Sequence, residues 1–180
     1  MIKLGINQIF FVFAFLSSFP FYLQTVIFAF VMTFKQKIYE HYLQVLNEKI
    51  SSLQLVLDDL KESGANETKS TAGDKHETAL AMLQIEQANT RAQLKEALDQ
   101  KAVYGKINPL LSSPTILNGS LVKTNRGYLF LSVAAGKAMV DGNTVIALSP
   151  QSPLGLKLIG LSGGDIAEVN SIRYEVEHIS

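Results

Sequence analysis

In "SGANETKSTAGDKHETALAMLQIE", residues 63–86, the chain passes from one helical pattern, which ends just before this segment, to another, which begins inside it. Residues 63–73 contain two glycines and several polar turn formers, a composition typical of a loop. Asp74 and Glu77 follow, three residues apart, where the second helical pattern starts. The stretch therefore predicts a turn between two helices, with a pair of carboxylates at the start of the second helix.

On both sides of this turn the apolar residues recur at intervals of three and four, which predicts amphipathic helices from 34 to about 62 and from about 75 to 101. Two long helices joined by one polar turn indicate an antiparallel coiled-coil hairpin over residues 34–103. Residues 63–77 form its tip, called the hairpin tip below. The predicted stripes are Ile38, Tyr42, Leu46, Ile50, Leu53, Leu57 and Leu60 in the first helix, and Leu80, Leu83, Thr90, Leu94 and either Ala97 or Leu98 in the second.

Residues 104–180 follow a different pattern, with a connector containing two prolines and then short runs of β-branched and aromatic residues. Turn-forming residues at 125–127 and 141–143 separate these runs. One helix is predicted at 152–160, where Ser152 can cap and Pro153 can take the first helical position. We therefore predict an α+β chain whose C-terminal domain, residues 104–180, contains an antiparallel sheet. The predicted strands are "SLVKT", "YLFLSVA", "TVIALS" and "IRYEVEHI".

The N-terminal segment, residues 1–33, is hydrophobic, and residues 5–33 carry no charge. The part from Ile9 to Met32 is long enough to cross a bilayer of about 30 Å. One interpretation is an inner-membrane anchor formed by residues 5–33, with the excess of lysines after it placing the body of the chain in the cytoplasm. The other is that the protein starts at Met32 and residues 1–31 are an extended gene start. Both interpretations give a cytoplasmic body.

The composition excludes several classes of function. Sixteen basic and sixteen acidic residues balance each other, so direct binding to DNA or RNA is disfavoured. Without cysteine there is no disulfide, thiolate zinc site or cysteine nucleophile, and three widely spaced histidines disfavour a histidine-rich metal site. The sequence contains no self-contained catalytic set.

The acids of the hairpin tip have a structural and a functional interpretation. Asp74 at the N-cap with Glu77 three residues later is the acidic form of a capping box. Two carboxylates at the end of a long rod can also be delivered into a channel of another protein. Their oxygens suit Mg²⁺, but two ligands are an incomplete site that the partner's carboxylates would complete.

Two stretches resemble the Gre transcript-cleavage factors of bacterial RNA polymerase. "GDKHETA", residues 73–79, is similar to the tip motif G-D-L-S-E-N-A of that family. "SPQSPLGLKLIGLSGGDIAEV", residues 149–169, resembles a second motif of the family, in its C-terminal domain. The matching positions of the second motif are Ser152, Pro153, Leu158, Ile159, Gly160, Gly164, Asp165, Glu168 and Val169.

This resemblance implies a hairpin that enters the secondary channel of RNA polymerase and an FKBP-like C-terminal domain that docks on the polymerase rim. Asp74 and Glu77 would then help to hold a Mg²⁺ ion shared with the polymerase. The polymerase's own active site would hydrolyse backtracked RNA, so that the factor touches the RNA 3′ end only indirectly and has no cofactor of its own.

Two alternatives remain open. Lys75 and His76 replace the family's usual Leu and Ser, and this departure favours a non-catalytic regulator of the same fold that occludes the channel. The hydrophobic N-terminus favours a membrane-anchored coiled-coil adaptor, for which the tip acids are only a helix cap.

Overall fold

The structure is a computed structural model that describes residues 32–67 and 74–180. For residues 66, 67 and 74–77 it describes the backbone but not the side chains. The predicted anchor, the choice between Met1 and Met32 as the start, and the centre of the hairpin tip thus fall outside the described residues. Within residues 32–67 and 74–180, no helix has the length and apolar character needed to span a bilayer.

Two long helices form the N-terminal half of the described chain, α1 (Phe34–Glu67) and α2 (Asp74–Tyr104). Contacts near both ends fix their relative direction. The Gln87 side-chain amide donates to the Leu60 carbonyl oxygen at 3.0 Å, and the Tyr104 hydroxyl donates to the Tyr39 carbonyl oxygen at 2.9 Å. Early residues of α1 therefore face late residues of α2, which confirms the antiparallel hairpin.

The predicted apolar stripes are the faces that pack. In α1, five of the seven predicted residues are buried, and Leu53 and Leu60 are half-buried. In α2, Thr90 and Ala97 are buried, whereas Leu98 is 45% exposed, so Ala97 is the stripe residue of the two alternatives.

Both helices are longer than the sequence predicts. Helix α1 continues to Glu67, five residues past the predicted end, and passes through Gly64. A glycine inside a helix costs about 1 kcal/mol relative to alanine, but Gly64 lies against the Gln87 side chain of the neighbouring helix. Helix α2 continues to Tyr104, whose ring is fully buried. Tertiary packing therefore extends both helices beyond their local signals.

The C-terminal half forms one six-stranded sheet in the order β3-β4-β2-β1-β6-β5. The α+β class is confirmed, but the sheet is mixed and not purely antiparallel, because β2 and β4 are parallel. The cause is β3, which the sequence pattern missed: it occupies the edge, and β4 returns from it between β3 and β2. The strands are β1 (Leu121–Thr124), β2 (Gly127–Leu131), β3 (Gly136–Val140), β4 (Asn143–Leu148), β5 (Ile166–Val169) and β6 (Ile172–Ile179).

The two faces of the sheet pack against different partners. One face, with Phe130 and Val145, packs against Ile38, Tyr42 and Tyr104 at the base of the hairpin. The opposite face, which includes Val122, Leu129, Leu131 and Val176, packs against Leu158 of the short helix α3 (Pro153–Leu158). This alternation follows from the period of two in a strand. The hairpin therefore stands on one face of the sheet, with its tip at the far end.

Candidate functional site

The hairpin tip places the two predicted carboxylate residues at the beginning of α2. Asp74 is the first residue of the helix and Glu77 lies in its first turn. Helix α1 has 34 residues, which corresponds to a length of about 50 Å at 1.5 Å per residue. The backbone thus presents a D-x-x-E pair tens of ångströms from the sheet, as the sequence predicts, whereas the positions of the two side chains lie outside the described residues.

Two buried tyrosines fix the base from which the tip projects. The Tyr42 hydroxyl lies 2.9 Å from the Val145 carbonyl oxygen and 3.0 Å from that of Gly136, so it joins α1 to the edge of the sheet. The Tyr104 ring stacks on Tyr39 at 4.8 Å between centroids. Burial raises the pKa of both the Tyr42 and the Tyr104 hydroxyl, so both stay protonated as donors at neutral pH.

Between base and tip, the outer half of the hairpin exposes large apolar side chains. Leu55 is 67% exposed in α1, and Met82 and Ile85 are 66% and 61% exposed in α2. None of the three belongs to the stripes that pack the two helices together. Exposed apolar side chains of this size can contribute to a contact with another protein.

The hairpin tip contributes two carboxylate residues as possible metal ligands. Among the residues whose side chains are described, no group of three or more histidines, cysteines or carboxylates is placed to hold a metal ion. Asp74 and Glu77 sit within one helical turn of backbone, a spacing compatible with two oxygen ligands. Two carboxylates alone are an incomplete set of ligands for a magnesium ion.

The second motif, residues 149–169, mostly builds local structure. The Ser152 hydroxyl accepts a hydrogen bond from the Gly155 amide at 3.0 Å, and Pro153 begins α3, so the predicted cap and start are confirmed. The Asp165 carboxylate accepts from the Ser162 amide at 2.7 Å and closes the loop that leads to β5. Glu168 is exposed on β5, where it lies opposite Arg173 of β6.

One further site, which sequence reasoning missed, is a cavity of about 320 Å³ where the base of the hairpin meets the connector. It contains Lys35 from the first turn of α1 and Lys106 from just after α2. The two lysines are 71 positions apart in sequence, so no local motif could reveal that they meet.

Comparisons with known proteins give similar structures at low identity. No protein-family model matches this chain, and no curated protein matches it. Among solved structures, GreA factor homolog 1 (Gfh1) of Thermus thermophilus is 20% identical, with 79% of this chain and 94% of that chain covered and a TM-score of 0.29. A second structure, of the transcription factor Gfh1, is 21% identical, covers 77% and 89%, and has a TM-score of 0.28. Functional inference therefore depends on this chain's own residues.

Proposed function

We propose that this protein is a Gre-like factor that binds RNA polymerase, inserts its hairpin tip into the secondary channel and promotes cleavage of backtracked RNA. The observation that carries the proposal is the D-x-x-E pair in the first turn of α2, at the far end of a hairpin whose base is fixed on a small sheet. Only a narrow rod of this kind can carry carboxylates deep into a channel that excludes a globular domain.

The surface of the rod supports insertion into a protein environment. Leu55, Met82 and Ile85 are each more than 60% exposed in the outer half of the hairpin. Burying such side chains against a partner gains roughly 25 cal/mol per Å² of apolar area. Insertion of the outer half would therefore be favourable, while the base remains free to dock by its sheet domain.

The acids have a defined role in this proposal. Asp74 and Glu77 would hold a Mg²⁺ ion together with carboxylates of the polymerase, and the bound ion would supply an activated water for hydrolysis of the RNA. The chain's own contribution is to position two oxygen ligands. Because the site is shared, the catalytic activity belongs to the complex and the protein alone is not expected to be an enzyme.

The test is transcript cleavage in a stalled, backtracked elongation complex to which the full-length chain is added. Asp74→Ala and Glu77→Ala should each reduce cleavage by about a hundredfold, because each removes an oxygen ligand of the shared Mg²⁺ ion. Asp99→Ala is the matched control, since Asp99 is an exposed carboxylate on the same helix near its base. Cleavage unaffected by both tip substitutions would refute the role of these acids.

A non-catalytic regulator is the second candidate, favoured by Lys75 and His76 between the two acids. It predicts binding to polymerase and altered initiation or pausing without cleavage in the same assay. A membrane-anchored adaptor predicts instead that the native protein sediments with membranes. We propose a cytoplasmic location for the described body, and mass spectrometry of the native N-terminus together with fractionation distinguishes these outcomes.

A further inference from the structure

The cavity at the base of the hairpin has the composition of an anion-binding site. Its lining includes the side chains of Lys35 and Lys106 and no acidic residue. Amide and hydroxyl groups contribute further donors, among them Asn108, Asn118 and Ser112. Its volume of about 320 Å³ lies at the lower end of small-molecule sites, which span roughly 300–1,000 Å³. The cavity is therefore large enough for a small ligand, and two lysines line it without an acidic residue.

Lys35 is an unusual residue for a merely structural role. It is only 6% exposed, and its ammonium group donates to the Leu111 carbonyl oxygen at 2.6 Å. An ammonium group has three donors, so this bond leaves two available. Burial lowers the pKa of Lys35, because no charge of opposite sign compensates for its loss of water.

Among the residues whose side chains the structure describes, no carboxylate provides that missing charge. The neighbouring Lys37 pairs with Asp141 at 2.7 Å, but no described carboxylate lies within ion-pair distance of Lys35 or Lys106. Residues 1–31 contain neither aspartate nor glutamate. Asp74 and Glu77 lie at the start of α2, at the opposite end of the hairpin from Lys35, about 50 Å away along the axis of α1. A cation in the first turn of a helix is also disfavoured by the helix dipole, which increases the need for a bound anion.

We propose that this cavity binds the phosphate or diphosphate group of a small phosphorylated molecule. A phosphate group carries close to two negative charges at neutral pH and three strong acceptor oxygens, which match two lysines and the surrounding neutral donors. A carboxylate group has one charge and two acceptor oxygens, fewer than a phosphate group offers at one centre. In malonate the two carboxylates are also separated by a methylene, so they do not present three oxygens around one atom. The apolar side chain of Leu111, 67% exposed at the mouth of the cavity, offers a surface for the rest of the ligand.

The loop that lines the cavity has a constrained backbone conformation. Gly119 has a φ of 87°, and a Cβ at this position would lie 2.8 Å from the Ile107 side chain. The Ser120 hydroxyl accepts from the Leu117 amide at 3.0 Å and thereby holds the loop in this conformation. Because the loop joins α2 to β1, a ligand bound here would strengthen the attachment of the hairpin base to the sheet.

The experiment is calorimetric titration of the full-length chain in a non-ionic detergent with inorganic pyrophosphate, inorganic phosphate and malonate as separate probes. We expect saturable binding of pyrophosphate at one site, weaker binding of phosphate, and no comparable binding of malonate. Pyrophosphate should also raise the melting temperature, since a ligand that binds only the folded state stabilises it.

Three variants give the test its specificity. Lys35→Gln and Lys106→Gln should each weaken pyrophosphate binding about tenfold or more, as expected for loss of a charge-assisted hydrogen bond. Lys37→Gln removes a positive charge two positions from Lys35 but outside the cavity, and should leave binding unchanged. Lys106 is exposed, so its substitution should not disturb folding even if that of Lys35 does. No saturable pyrophosphate binding, binding that persists in Lys106→Gln, or equal binding of malonate would overturn the proposal. None of these outcomes depends on whether the protein promotes RNA cleavage.

Discussion

Replacement of Tyr42 by phenylalanine should destabilise the protein measurably, although it removes one atom. The Tyr42 side chain is 1% exposed, and its hydroxyl lies within hydrogen-bond distance of the carbonyl oxygens of Val145 and Gly136. A hydroxyl has one proton to donate, so the two carbonyls share it. Tyr42→Phe keeps the ring packed on Phe130 and removes only this shared donor.

The magnitude follows from the burial of the hydrogen bond. A typical intramolecular hydrogen bond contributes about 1 kcal/mol, and a buried group left without its partner costs about 1–3 kcal/mol. We therefore expect Tyr42→Phe to lower the free energy of unfolding by about 1–2 kcal/mol. For a protein of this size that corresponds to a fall in melting temperature of about 2–8 °C.

The assay is urea denaturation of the full-length chain followed by far-ultraviolet circular dichroism. Tyr128→Phe is the matched control, because Tyr128 is half-buried in the same core and its hydroxyl has no hydrogen-bond partner among the described residues. Its substitution should change stability by less than about 0.5 kcal/mol. Equal stability of Tyr42→Phe and the unmodified chain would refute the view that this tyrosine fixes the hairpin on the sheet.

Three further predictions concern the base and the second motif. Gly155→Ala should lower the free energy of unfolding by about 1–3 kcal/mol or more, because a Cβ at this position would overlap the Ser149 carbonyl oxygen. Gly163→Ala is the control: a Cβ there would meet open space, so the substitution should be nearly neutral in the same denaturation assay. Ser152→Ala removes the cap of α3 and should cost about 1 kcal/mol, measured as a lower urea midpoint. Burial raises the pKa of the Tyr104 hydroxyl in the folded state. The resulting contribution to folding stability is therefore complete below the unfolded tyrosine pKa of about 10, and it is lost as the pH rises above that value. Tyr104→Phe should reduce the loss of stability above about pH 10 in melting curves recorded from neutral to alkaline pH.

The hairpin could be predicted from the sequence because the apolar residues that recur with the helical period are also the residues that are buried. Ile38, Tyr42 and Leu46 repeat every four residues and are all buried, so one pattern reports both the helix and its inner face. The helix ends could not be predicted, because they depend on contacts across the structure. Gly64 stays helical beside Gln87, and Tyr104 stays helical because its ring fills the core beneath the sheet.

The edge of the sheet escaped prediction for a related reason. Strand β3, "GKAMV", exposes Lys137 and Met139 and turns Ala138 and Val140 inward, so its burial alternates. The residue types do not show this alternation clearly, because an apolar methionine lies on the exposed face and a small alanine on the inner face. The four strands predicted from the sequence did not include β3, and the sheet was predicted to be antiparallel. The position of β3 at the edge is what makes β2 and β4 parallel.

The two candidate sites differ in how much the sequence reveals. Asp74 and Glu77 are three residues apart at a helix start, so their backbone placement could be predicted from the sequence. Their proposed use in catalysis depends on groups of another protein. Lys35 and Lys106 meet only in the folded chain, through the close approach of α1 and the connector. A site assembled from distant segments leaves no spacing pattern in the sequence.

The central claim, that the hairpin tip enters the secondary channel of RNA polymerase, can be tested by photo-cross-linking. A photoreactive amino acid is placed at Thr71 in the hairpin tip and, in a second protein, at Asp99 near the hairpin base, and each is irradiated with RNA polymerase elongation complexes. If the hairpin tip enters the channel, position 71 should cross-link to polymerase residues that line the channel. Position 99 should give no cross-links inside the channel. If position 71 gives no cross-links to the polymerase, whether or not the protein binds the elongation complex, insertion of the hairpin tip is contradicted.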